Sequence, residues 1–323
     1  MEIKKINNNK FVGIWLLLMI ILIFLMIIVG GLTRLTDSGL SITEWELFKG
    51  ILPPTNKETW EMYFSLYKEI PQFKFINPLI SMEEFKVIFY WEYFHRLLGR
   101  LIGLAYLLPL LYFTLKRTFD KKTIITLYFI FILILAQGLI GWYMVESGLV
   151  INTSVSHFRL SIHLLMAFVI ISFLTWNYLN FKSNKNKSFF NLKNKLTKIF
   201  FLFILFQIVI GAFVSGLDAG LIYQTWPKMN LTYFPDDVDL NRLDLKYFFY
   251  NQGFIQFIHR ILAYLIIVFA LIIGTRLLVQ KQVRFIKNYF IVFLVLVTQV
   301  LLGIFTLISG LNLYFASLHQ ITS

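Results

Sequence analysis

Four histidines recur as two matching pairs. His95 and His259 sit in near-duplicate settings, Y-F-H-R-L-L-G-R and F-I-H-R-I-L-A-Y, and His163 and His319 follow one apolar stretch later in each half. An ionisable ring at membrane depth is costly, so its recurrence in register points to function. Two imidazoles on facing helices can take both axial positions of a haem iron, with the flat macrocycle filling the space between four helices. Arg96 and Arg260 follow the first histidine of each pair, and a guanidinium there suits a haem propionate. Glu92 lies three residues before His95, on the same helical face, whereas the equivalent residue before His259 is Gln256. One site thus carries a carboxylate suited to proton transfer or to stabilising positive charge, and the other does not. Trp91, Tyr93, Phe94 and Trp142 in one half, and Phe254, Phe257 and Tyr264 in the other, are suitable wall material. His157 is the alternative to His163. A gapless alignment of the halves would set it opposite His319, but it lies in the polar stretch N-T-S-V-S-H, whereas His163 lies inside an apolar run.

Such rings need helices that span a bilayer. The 323 residues are 58% hydrophobic and 15% charged, with a mean hydropathy of +0.72, which excludes an ordinary soluble domain. Seven stretches reach the roughly 20 residues that a membrane helix needs, near 12–32, 94–115, 123–145, 161–181, 197–217, 255–275 and 289–311. The first follows Lys4, Lys5 and Lys10, but its apolar run is too long for a signal peptide and no small-residue cleavage site follows it. Segments 1–11, 116–122, 182–198 and 276–287 hold 17 of the 30 basic residues and only two acids, Glu2 and Asp120. Basic residues collect on the cytoplasmic side, so the N-terminus is expected inside and the long stretches 33–93 and 218–254 outside. The net charge of +13 is then a topology signal, with the basic linker lying beside anionic lipid and no nucleic acid as partner. Cysteine is absent, so metal or cofactor must be held by imidazole, carboxylate or backbone.

The two halves align on each other. V-G-G-L-T-R-L-T-D-S-G-L matches I-G-A-F-V-S-G-L-D-A-G-L at an offset of 181, pairing Gly30 with Gly211 and Asp37 with Asp218. The second and sixth spans match at 164, and the third and seventh at 162, pairing Gln137 with Gln299 and Gly141 with Gly303. Each half is expected to be a four-helix unit of even span number, giving a parallel repeat and not the inverted repeat common in transporters. The expected fold is an all-α polytopic membrane protein of two tandem parallel four-helix bundles: 1–182, a cytoplasmic basic linker 183–198, and 199–323. The chain stops four residues after His319, so the eighth span is expected to be missing and His319 to be weakly anchored.

At these residues the chain resembles haem A synthase, the membrane enzyme that converts haem O to haem A for cytochrome oxidase. The resemblance rests on G-G-L-T-R-L-T-D-S-G-L-S-I-T-E-W with G-I-L-P-P, F-K-V-I-F-Y-W-E-Y-F-H-R-L-L-G-R, Q-G-L-I-G-W-Y-M-V-E-S-G-L, F-R-L-S-I-H-L, G-A-F-V-S-G-L-D-A-G, Q-F-I-H-R and A-S-L-H-Q, over nearly the whole chain. Lacking cysteine, it looks like the proteobacterial and mitochondrial branch. The resemblance implies that His95 and His163 flank the iron of haem O, the substrate, with Glu92 important for catalysis. His259 and His319 would ligate the iron of a resident haem b acting in electron transfer. The implied reaction oxidises the porphyrin C8 methyl group to a formyl group through a hydroxymethyl stage. The implied setting is the bacterial inner membrane, with both haem sites toward the periplasm. Haem O synthase, oxidase assembly factors and a second copy of the chain are the implied partners. The alternative is a dihaem b-type cytochrome exchanging electrons with quinone. In such a protein one helix typically carries two well-separated histidines, and no span here does at that spacing. A haem carrier is a third class, and it gives Glu92 no role.

Overall fold

Backbone polar groups in hydrocarbon must pair within their own segment, so a long apolar run closes into a helix. The computed structural model describes residues 10–46, 49–183, 195–242 and 244–322, and among these the helices are α1 (Lys10–Leu35), α2 (Lys57–Glu69), α3 (Pro71–Phe75), α4 (Met82–Leu115), α5 (Lys121–Leu149), α6 (His157–Ser183), α7 (Lys195–Gly216), α8 (Leu245–Tyr250), α9 (Gln252–Val279), α10 (Val283–Ile308) and α11 (Leu313–Ile321). No β-strand occurs among the described residues. Seven helices, α1, α4, α5, α6, α7, α9 and α10, are long and apolar enough to cross a membrane, as the sequence leads one to expect of a multi-pass membrane protein. Residues 1–9 and most of the basic linker 183–198 lie outside the described residues.

Several helices outrun their apolar spans. α4 starts at Met82 because Ser81 and Glu84 form a reciprocal cap: Ser81 Oγ accepts from Glu84 N at 3.3 Å and Glu84 Oε2 accepts from Ser81 N at 2.8 Å. That early start places Glu92, His95 and Arg96 inside continuous helix. α6 likewise starts at His157, so both candidate histidines of this region share one helix.

The chain forms two compact units, residues 1–155 with 166–191, and residues 156–165 with 192–323. In the first, α1 packs along α4 through Val12, Trp15, Leu16 and Met19 against Ile102, Tyr106 and Leu110. Aromatic hydroxyl and indole donors inside this core find main-chain acceptors, as buried polar groups must. Trp15 Nε1 donates to Ala105 O at 3.0 Å, and the Tyr106 hydroxyl to Leu127 O at 2.9 Å. The long stretch 33–93 is no simple loop. Trp60, Phe64 and Tyr67 of α2 pack on Phe85, Phe89 and Tyr93 of α4, making a second core beyond the apolar span.

In the second unit α7 packs along α9, α9 along α10, and α10 against α11. The exits of α1 and α7 share a turn: Asp37 (φ 49°) and Asp218 (φ 52°), equated by the 181 offset, both adopt the left-handed conformation that Asp tolerates after a helix.

Candidate functional site

His259 on α9 and His319 on α11 face each other in the second unit, with ring centroids 6.5 Å apart and planes at 85°. Their supports follow one pattern. On α7, Gln207 and Gly211 lie one turn apart; on α10, Gln299 and Gly303 do the same. A side chain at Gly211 would put its Cβ 3.2 Å from His259 Cε1, and one at Gly303 would lie 2.9 Å from His319 Cε1. Each imidazole therefore rests where only glycine leaves room. The Gln207 amide donates to His259 O at 3.1 Å, and the Gln299 amide to His319 O at 2.7 Å. Thr322 Oγ1 donates in turn to Gln299 Oε1 at 2.5 Å.

These contacts set the ring nitrogens. His319 Nδ1 lies 3.0 Å from Gln299 O, and a carbonyl can only accept, so Nδ1 carries the proton and Nε2 keeps its lone pair. His259 Nε2 lies 3.3 Å from the Gln207 amide nitrogen, and its buried Nδ1 has no hydrogen-bond partner. A ligating imidazole nitrogen lies about 2 Å from its metal, so two rings on opposite sides of one ion have centroids roughly 6 Å apart. The observed spacing fits that arrangement. No group of three or more His, Cys, Asp or Glu placed to hold a bare metal ion occurs among the described residues. His259 and His319 would together hold an iron that brings its remaining ligands with it, as a haem does.

The first unit presents a different centre. Glu92 is 2% exposed, yet four donors satisfy it. Oε2 accepts from Ser41 Oγ and Ile42 N, both at 2.8 Å, and Oε1 from Arg96 Nε at 3.0 Å and Arg96 Nη2 at 2.6 Å. Arg96 also donates to Ile42 O and Glu44 O, and its guanidinium lies 5.5 Å from the Trp45 ring centroid. Arg100 Nη2 donates to Glu46 O at 2.7 Å. The Tyr63 hydroxyl donates to Glu46 Oε2 at 2.5 Å, and burial, reinforced by Glu46, raises its pKa. These bonds fasten the 41–46 loop across α4. His95 sits beside them, half-buried, and a Cβ at Gly30 would lie 3.0 Å from its Nε2. Gly30 thus makes room for His95 as Gly211 does for His259.

The remaining candidates are distributed as follows. His163 is half-buried on the first turns of α6, which belong to the second unit, whereas His95 belongs to the first. His157 is 4% exposed, with ring centroids of Phe158, Phe213 and Tyr250 at 4.4–4.8 Å, and its Nε2 has no partner. Arg260 donates to Tyr223 O, Lys228 O and Gln256 Oε1. Tyr93 serves the outer core and donates to Ile51 O at 2.7 Å, while Phe94 and Trp142 are largely exposed. Phe257 packs on Phe234, and Tyr264 accepts from Trp226 Nε1 at 3.0 Å. Ser41, Ile42, Gln207 and Gln299 escaped functional assignment in the sequence. The Q-x-x-x-G spacing at 207–211, 299–303 and 137–141 was the available signal for the glutamines.

A model of the family described as cytochrome oxidase assembly protein matches residues 13–323. Among curated proteins, the chain is 50% identical over 330 residues to one named Heme A synthase from Pelagibacter ubique, covering 100% of this chain and 95% of that one. A Heme A synthase from Wolbachia pipientis is 41% identical, with 97% and 89% covered, and one from Rickettsia bellii is 43% identical, with 95% and 92% covered.

Proposed function

We propose, from the premise that the chain belongs to the cytochrome oxidase assembly protein family and is a haem A synthase of the oxidase supply route, that it makes haem A by oxidising the C8 methyl group of haem O to a formyl group. The observation that carries the site assignment is the His259–His319 pair, whose 6.5 Å spacing and glycine beds suit a resident haem, which we take to be haem b. When bound, that group would supply one-electron redox chemistry. His95 and His163 are assigned to the substrate haem O, with Glu92 as the residue that makes the first site reactive.

The chain's own residues do three things in this reading. Gln207 and Gln299 hold the main chain at His259 and His319, and Gln299 also fixes the His319 tautomer through its carbonyl. Arg96 and Arg260 tie the outer loops down over α4 and α9, excluding water from the helix faces below. Glu92 accepts from all four of its donors, so it acts as a fixed carboxylate at the edge of the substrate site. Its role is to stabilise positive charge as the methyl group is oxidised; proton transfer would first require the Arg96 bonds to open. The charge distribution supports a cytoplasmic N-terminus and both sites toward the periplasmic side of the inner membrane. Haem O synthase and oxidase assembly factors are the proposed neighbours.

Expression in a host that makes haem O but not haem A, followed by haem extraction and chromatography with mass detection, tests this reading. Haem A or its hydroxymethyl precursor is the expected product. Recovery of haem b and haem O alone would overturn it.

A further inference from the structure

The length of α4 sets how deep its neighbours sit in a membrane. Lys116 and Arg117 follow its last residue, as basic residues do at a cytoplasmic boundary. Counting about 20 residues back along the helix puts the opposite boundary near Arg96. Arg100 then lies about one turn inside the hydrocarbon layer, roughly 6 Å at 1.5 Å per residue. An arginine at that depth needs a partner. Its Nη2 donates to Glu46 O at 2.7 Å, and Gly50 lies against it, since a Cβ there would be 3.1 Å from the same nitrogen. The segment between α1 and α2 therefore descends along α4 past the boundary.

Non-helical backbone is tolerated at such depth only where protein groups satisfy it. Side chains of α4 do so at four carbonyls. Arg96 donates to Ile42 O and Glu44 O, Arg100 to Glu46 O, and the Tyr93 hydroxyl to Ile51 O. Pro53 and Pro54 come next and have no N–H to satisfy. The same segment turns apolar side chains outward: Leu52 is 76% exposed, Trp45 47% and Ile51 45%. Directly after Arg100 on α4 stand Leu101, Leu104 and Leu108, spaced i, i+3, i+7 and exposed as a lipid-facing stripe is. The loop residues extend that surface. Lys49 is exposed as well, and its long stem can carry the ammonium back to the head groups. Exposure alone does not select lipid, because Leu79, at 94%, precedes Met82 at the start of α4 and so stands well outside the boundary.

We propose that the segment carrying Trp45, Ile51 and Leu52 is inserted into the lipid leaflet at the N-terminal end of α4, its side chains among the acyl chains just below the head groups. Arg100 holds the main chain at that depth. Because Ser41 and Ile42 of the same segment bond Glu92, the bilayer braces the loop that holds this carboxylate.

The chain has no cysteine, so a single one can be introduced at will. The full-length protein carrying Leu52→Cys, Leu104→Cys or Leu79→Cys, each with a nitroxide attached, is reconstituted in phosphatidylcholine vesicles. Electron paramagnetic resonance then compares collisions with oxygen, which concentrates in lipid, against those with a water-soluble nickel chelate. The oxygen-to-nickel ratio at position 52 should exceed that at position 79 several-fold and approach that at position 104. A ratio matching position 79 would put the loop in water and overturn the proposal. Low collision rates with both reagents would also overturn it, because protein and not lipid would then cover the loop. All three sites are exposed, so the substitutions leave the packed cores intact. The readout needs no turnover, so it stands or falls apart from the methyl oxidation.

Discussion

Arg96 and Arg260 close the same staple with different partners. In the first unit Arg96 Nη2 reaches Ile42 O at 2.7 Å; in the second, Arg260 Nη2 reaches Tyr223 O at 3.1 Å, and the 181 offset equates those two loop residues. One turn earlier on each helix stands Glu92 or Gln256. Glu92 accepts from the Ile42 backbone N–H, whereas Gln256 donates its amide to Tyr223 O at 3.1 Å. A neutral amide also fastens its loop, with one bond where the carboxylate takes two. The loop of the second unit thus closes without a charge at this position. A second difference lies in the rings: His259 has the Gln207 amide on its main-chain carbonyl, while the position equated with Gln207 in the first unit is Met26. The second unit thus adds a main-chain bond at its histidine through Gln207, and the first carries a thioether at the equated position.

The most drastic way to break this comparison is to remove a ring. If the proposed assignment holds, His319→Leu or His259→Leu should strip the haem proposed for that pair from the purified protein, while His95→Leu should leave it in place. Pyridine haemochrome content reads the result, and equal losses in all three would erase the division of labour. Next in size is the pairing itself. Arg96→Leu strands a buried carboxylate and should cost about 3–5 kcal/mol, against about 1–3 kcal/mol for Arg260→Leu, which leaves only a neutral amide. Detergent-solubilised thermal unfolding separates the two, and equal costs would show that Glu92 is not held as an ion.

Glu92→Gln turns the first staple into the second. The loop should stay closed and haem should stay bound, while haem A formation falls about 10²-fold, the scale of a lost charge-stabilising or acid–base group. Turnover at the wild-type rate would remove Glu92 from the mechanism. Gln299→Leu acts on the other side. It deletes the bond to His319 O and should weaken haem binding about tenfold, as losses around a ligand commonly do. Unchanged affinity would mean that the Gly303 bed and the Gln299 carbonyl suffice.

Much of this was legible in the residues. Seven apolar runs gave seven helices, and the spacing of Glu92 and Arg96 around His95 fixed a shared face of α4. What stayed hidden was set by partners distant in sequence. Ser41 and Ile42 meet Glu92 from about fifty positions away, and no local pattern announces a backbone N–H as a carboxylate's donor. The aromatics beside His95 are suitable cofactor walls by type, but Tyr93 packs with α2 because residues 57–69 form a helix with its own apolar side. His319 was expected to be loosely anchored, a view drawn from the chain beyond it. Its anchors lie on α10 instead, where Gln299 and Gly303 meet it laterally.

The smallest effect sharpens the comparison most. Gln256 Oε1 accepts from Arg260 Nη2 and not from Nε, whereas in the first unit Glu92 Oε1 accepts from both Nε and Nη2 of Arg96. Gln256→Glu should supply the missing acceptor in the same helical register. The gain is bounded, because the new carboxylate must be desolvated and the Gln256 bond to Tyr223 O is lost, and we expect a change within about 1 kcal/mol in thermal stability. A loss of several kcal/mol would instead mean that the second loop cannot present a backbone N–H as Ile42 does, and that Gln256 is there because its amide must donate.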